Sequence, residues 1–211
     1  MAVVRYLITV ALRRRVVLAP LATLLGADAA LYSAPPNPVL ATAAAVAAYT
    51  LPIQLWLALT FFNSLHDADR DVLAATVGRR RAAWLRLLAG GVLTAAAGAA
   101  CVAYPVAAGR FAHPVSAAEL ASCAALATST ALAATALAAL FAEPTVRHPG
   151  QAGLGLTLCT LLAVWLDLPP IAVARAAADS AGWRVALGIG WMSVFAAAAA
   201  SICSVLWDRR A

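Results

Sequence analysis

The sequence predicts an all-α polytopic membrane protein. It has six transmembrane helices with both termini cytoplasmic, an N-terminal amphipathic surface helix, and a short cytoplasmic coupling helix between the second and third spans. Three observations predict it. Of the 211 residues, 64% are apolar and 11% charged, against roughly 45–50% and about 25% in soluble domains. Six apolar stretches meet or approach the roughly 20 residues that cross a bilayer. The cations gather on one side of those stretches.

Residues 1–15 read as an amphipathic helix on the inner surface. Val4, Leu7, Ile8 and Ala11 recur at helical spacing, while Arg5, Thr9 and Arg13 share the other face. The plainer alternative is a basic anchor that only fixes topology. Residues 16–211 form the transmembrane domain, with spans at about 16–33, 40–62, 83–107, 115–142, 151–168 and 184–207. Between spans lie segments rich in proline, glycine or charge: Pro35-Pro36-Asn37-Pro38, Glu143 to Gly150, and Pro169-Pro170.

Orientation follows from the arginines. With the N-terminus inside, the inner segments hold Arg5, Arg13, Arg14, Arg15, Arg70, Arg79, Arg80, Arg81, Arg86, Arg147, Arg209 and Arg210. The outer segments hold only Arg110, Arg175 and Arg184. That is a strong positive-inside bias. The net charge of +6 is therefore a topology signal and argues against a nucleic-acid partner. Tyr32, Tyr104, Trp165 and Trp183 fall near outer ends, and Trp84 and Trp207 near inner ends, as an interfacial aromatic belt requires.

One stretch carries more information than the alanine-leucine-valine background: Phe61 to Gly90, FFNSLHDADRDVLAATVGRRRAAWLRLLAG. Ser64 with Asp67 three residues on reads as a capping box. Asp67, Asp69 and Asp71 occupy the first turns, where the positive helix end favours carboxylates. Leu65, Ala68, Val72 and Ala75 fall on one face, Gly78 stops the helix, and Arg79-Arg80-Arg81 follow its negative end. The spacing predicts a short helix over residues 65–77 along the inner surface. It reads either as a solvated loop element or as a handle for a cytoplasmic partner, and a stiff helix transmits force where a loose loop does not.

Composition removes several chemistries. All fifteen basic residues are arginine. Without lysine the chain holds no Walker A loop, whose lysine contacts nucleotide phosphates, and forms no lysine Schiff base. The expectation is a non-enzymatic subunit whose ATP is bound elsewhere. Cys101, Cys123, Cys159 and Cys203 each lie in a different apolar run and read as small buried hydrophobes. His66, His113 and His148 lack ligand spacing, so no metal site is expected. Arginine without lysine, with heavy alanine use, points to a GC-rich bacterial genome.

Polar groups within the spans are candidates for a substrate pathway. Asp28 is an intramembrane carboxylate, which is a functional candidate by default. The fourth span carries Ser122, Thr128, Ser129, Thr130 and Thr135. Thr128, Ser129 and Thr130 are the pathway candidates among them, although such hydroxyls more often bond a carbonyl one turn earlier or a neighbouring helix.

The chain resembles the membrane subunit of a bacterial ABC exporter of the ABC-2 type. The resemblance rests on the surface helix before the first span, the six spans, and the coupling-helix pattern: Asp67 to Asp71, Val72-Leu73-Ala74-Ala75, Gly78, then Arg79 to Arg81 with Arg86. It implies that Asp67, Asp69, Arg70, Asp71, Val72 and Leu73 contact a nucleotide-binding ATPase subunit that carries the ATP and Mg²⁺, this chain holding no cofactor itself. It also implies a homodimer or pseudo-dimer of permeases in the bacterial cytoplasmic membrane, exporting an amphipathic compound, lipid or peptide. In that family the segment between spans five and six forms short outer helices, which residues 169–183 could supply, though here it is short.

Two other readings remain. Asn63, Asp67 and Asp71 match part of the first aspartate-rich motif of membrane prenyltransferases, which hold a pyrophosphate through Mg²⁺. Ser64 replaces the first aspartate, and the next cytoplasmic loop offers only Glu143. The third reading is a non-transporting membrane assembly or immunity protein that docks the same helix on another partner.

Overall fold

The computed structural model describes residues 2–33, 38–65, 67–142, 146 and 149–165, together with 189–190, 193–194, 196–199, 201–202 and 205. The described residues form the helices α1 (Ala2–Arg13), α2 (Leu18–Leu31), α3 (Val39–Asn63), α4 (Asp67–Val77), α5 (Arg79–Ala107), α6 (Ala117–Phe141) and α7 (Pro149–Trp165), with no strand among them. Alanine and leucine dominate these segments, and both lose little on entering a helix. Three helices, α3, α5 and α6, are long and apolar enough to cross a membrane.

The ends differ from the sequence expectation in instructive ways. The first expected span, 16–33, contains a helix of 14 residues, about 21 Å long, shorter than the roughly 30 Å hydrocarbon core. The expected spans 40–62 and 115–142 correspond to α3 and α6 within about two residues. The third begins earlier, at Arg79 instead of residue 83, so Arg79, Arg80 and Arg81 form the first turn of α5. The fifth corresponds to α7, Pro149–Trp165. The sixth falls mostly outside the described residues. Those described between 189 and 205 are helical, and Ala196 and Ala199 pack with Ala136 and Leu140 of α6. The outer segment 169–183 and the C-terminal arginines lie outside the described residues.

Small residues set the packing. Ala58, Ala89, Ala131, Ala134, Ala138 and Ala139 are fully buried, and such residues let membrane helices approach closely. Gly90 sits under Phe62: a Cβ there would lie 2.8 Å from the ring's Cζ. Phe61 and Phe62 are themselves wholly buried. The Thr94 and Thr135 hydroxyls meet at 2.7 Å between α5 and α6, an interhelical bond between two buried polar groups.

α1 packs against α5. Val4, Leu7 and Ala11 of its apolar face are buried while Arg5 and Arg13 stay exposed. Gly78 joins α4 to α5 with φ 85°, a left-handed conformation that glycine adopts without steric cost. Its N–H donates to Ala74 O at 2.9 Å and its carbonyl accepts from Ala82 N at 2.9 Å. One residue therefore ends α4 and starts α5.

Candidate functional site: the arginine-braced end of the bundle

The chain leaves α3 at Ser64, and here the capping-box expectation fails. Ser64 is the C-cap of α3, and its hydroxyl donates back to Phe61 O at 2.7 Å. α4 begins at Asp67, two residues later than expected, so Ser64 lies too far upstream to cap it. A serine after an apolar helix can cap forwards or backwards, and the tighter local turn wins here.

Arg14 fills the gap. It follows α1, and one guanidinium nitrogen donates to the Ser64 carbonyl. The other reaches Asp69 Oδ2 at 2.7 Å. A single side chain thus ties the end of α1 to the end of α3 and the first turns of α4. The next residue, Arg15, has φ 59°, a left-handed conformation costing about 1–2 kcal/mol outside glycine. Leu18 N donates back to Arg15 O at 3.1 Å, closing a tight elbow into α2. Deeper in the bundle, the buried Arg86 of α5 donates to Phe62 O at 3.4 Å. The last turn of α3 is therefore served by two arginines from different helices.

This geometry divides the residues expected at the partner contact. Ala68, Asp71, Val72, Ala75 and Thr76 are exposed, Val72 by 64%. Asp69, Arg70, Leu73, Ala74 and Val77 are half-buried, and Leu73 packs on the central apolar cluster. Asp71 and Val72 therefore face outward. Asp69 is engaged by Arg14, and Leu73 anchors the helix. α4 itself contains Asp67, whose side chain lies outside the described set.

The pathway candidates do not form one group. Ser129 and Thr130 are buried, and both hydroxyls donate to Leu126 O, at 2.9 and 2.8 Å. Thr128 is exposed. Asp28 belongs to the other end of the bundle, buried on α2 to 1% exposure, with its Oδ1 lacking a hydrogen-bond partner. One turn on, Tyr32 meets Phe111 edge-on, centroids 5.6 Å apart. Among the described residues no three His, Cys, Asp or Glu side chains group as metal ligands.

In comparisons with known proteins, no family model, curated protein or solved structure matches the chain.

Sequence reasoning missed Arg14 as a brace, because a basic run before a span reads as a topology signal. It also missed the Thr94–Thr135 pair, which requires the α5–α6 register. The cap of α6 was missed as well: the Ser116 side chain accepts from Glu119 N, and Ser116 N donates to Glu119 at 2.9 Å, a full capping box. The S-x-x-E pattern marks it in the sequence.

Proposed function

We propose that this chain is the transmembrane subunit of an ABC-2-type exporter in a bacterial cytoplasmic membrane, working as a homodimer or with a similar permease. A separate nucleotide-binding subunit would carry the ATP and Mg²⁺. The observation that supports the reading is the division of α4 into two faces. The outward one combines Asp71 with Ala68, Val72 and Ala75. The inward one is held by the Arg14–Asp69 ion pair and by Leu73. A helix braced on one side and bare on the other serves as a handle, because a partner pressing on it moves α3 and α1 with it instead of deforming a loop. ATP binding on the partner then shifts the bundle by the difference in affinity between its two states, and by no more. Few charges lie within the spans, so the cargo is an amphipathic compound, lipid or peptide and not a metal ion.

The test is the pair Asp71→Lys with Val72→Asp, which changes only exposed side chains. Export and co-purification of an ATPase subunit should both be lost while the thermal midpoint in detergent stays unchanged. Full export with the double variant would overturn the reading. Asp69→Asn is the contrast: it weakens the brace and lowers the midpoint without altering the exposed face.

A further inference from the structure

Leu24 and Asp28 of α2 and its C-cap Tyr32 stand one turn apart and are buried together, with exposures of 0%, 1% and 5%. Asp28 is the polar member of that buried stripe, and its Oδ1 has no hydrogen-bond partner. Of the charged groups at this end, Arg110 and His113 are exposed, and Glu119 is bonded to Ser116 with His113 3.7 Å away. Tyr32 stands one turn on, and Cys123 of α6 lies beside Tyr32, with Cys101 of α5 also buried. α3 brings Val39 and Ala43 to this end, and its ionisable residue Tyr49 is 71% exposed. On α5, Tyr104 is 37% exposed, and Arg79, Arg80, Arg81 and Arg86 belong to the opposite end of that helix. Among the described residues no cation forms a hydrogen bond or ion pair with Asp28.

A buried carboxylate is neutralised in one of three ways: by a metal, by an organic cation, or by a proton. A metal needs further ligands, and no such group assembles among the described residues. An organic cation needs room. Asp28 is buried to 1% exposure, and the cleft one turn on, which Tyr32 and Phe111 line with Val39, Ala43 and Cys123, measures about 10 Å³, space for one water molecule. A proton needs neither.

We propose that Asp28 is a proton-binding site inside the helical bundle, reached from water past the Tyr32–Phe111 pair. A hydronium ion transfers its proton to a carboxylate oxygen of Asp28, an O–H bond forms there, and a water molecule is left. Opening this end of the bundle admits water and allows the reverse step. Proton release and loosening of α2 are therefore linked. The site does not rest on the exporter reading, since it belongs to this chain alone.

An apolar carbodiimide provides the probe, because it enters membranes and adds to protonated carboxyls. The full chain in phosphatidylcholine vesicles, treated with dicyclohexylcarbodiimide, should acquire a stable adduct at Asp28, located by peptide mass spectrometry. Labelling should be several-fold faster at about pH 6 than at about pH 8, absent in Asp28→Asn, and faster still in Tyr32→Ala. Tyr32→Phe, which keeps the ring, should label at the wild-type rate. A second readout is independent of the reagent. The thermal midpoint of the wild type should fall as pH rises from about 4 to about 7, because the folded state there binds more protons than the unfolded one, and Asp28→Asn should lose that part of the pH dependence. No adduct at Asp28, or labelling at equal rates at both pH values, overturns the proposal. So does a midpoint with the same pH dependence in wild type and Asp28→Asn.

Discussion

The two ends of this bundle treat their buried polar groups differently. At one end, arginines reach across helices: Arg14 joins Ser64 and Asp69, and Arg86 donates to Phe62 O. At the other, Tyr32 leans on Phe111, and beneath it Asp28 keeps an unpartnered oxygen. A hydrogen-bonded charge resists rearrangement, because breaking it strands a polar group. An unpartnered one gains from rearrangement or from a proton. The first end is built to hold a shape and the second to respond.

The largest effect should come from the aromatic floor beneath the brace. Phe62→Ala removes a wholly buried ring and should cost about 3–5 kcal/mol, read as a drop in the thermal midpoint in detergent. Were the loss no greater than for an exposed residue such as Trp56, the arginine end would not rest on this packing. Next, Gly90→Val places a Cβ 2.8 Å from Phe62 Cζ and should cost about 1–3 kcal/mol by overpacking. Phe62→Leu in the same chain should recover part of that loss, a coupling that a double-mutant cycle measures.

At the responsive end, Ser116→Ala removes the cap from α6 and should cost about 1 kcal/mol. Hydrogen exchange should show the loss confined to the first turn of that helix. The smallest effect should be Arg14→Gln. The pair it breaks is about a third exposed, with side-chain exposures of 29% and 34%, and is worth under about 1 kcal/mol. That difference should shrink in high salt, whereas the Ser116→Ala loss should not. Equal salt sensitivity at both ends would erase the distinction between them.

Much of the architecture was legible in the sequence. Apolar runs bounded by proline and glycine located α3, α5 and α6 to within a few residues, because in lipid every backbone group must bond within its own segment. The α1 face of Val4, Leu7 and Ala11 was legible for the same periodic reason. The site was half legible. The acidic pattern announced α4, but Asp69 and Asp71 look alike in sequence and differ in role, since one meets Arg14, 55 positions earlier in the chain. Ser64 was misread because a hydroxyl can bond to the turn before it as easily as to the turn after it.

Composition and periodicity alone determined that the chain is helical, apolar and free of lysine chemistry, because those depend on residue type and local spacing. Only the tertiary structure decided which face of α4 is exposed, which arginine braces it, and that Asp28 is buried one turn before the Tyr32–Phe111 contact. Those facts depend on which helix packs beside which, and pairings between residues far apart in the chain leave no periodic trace along it.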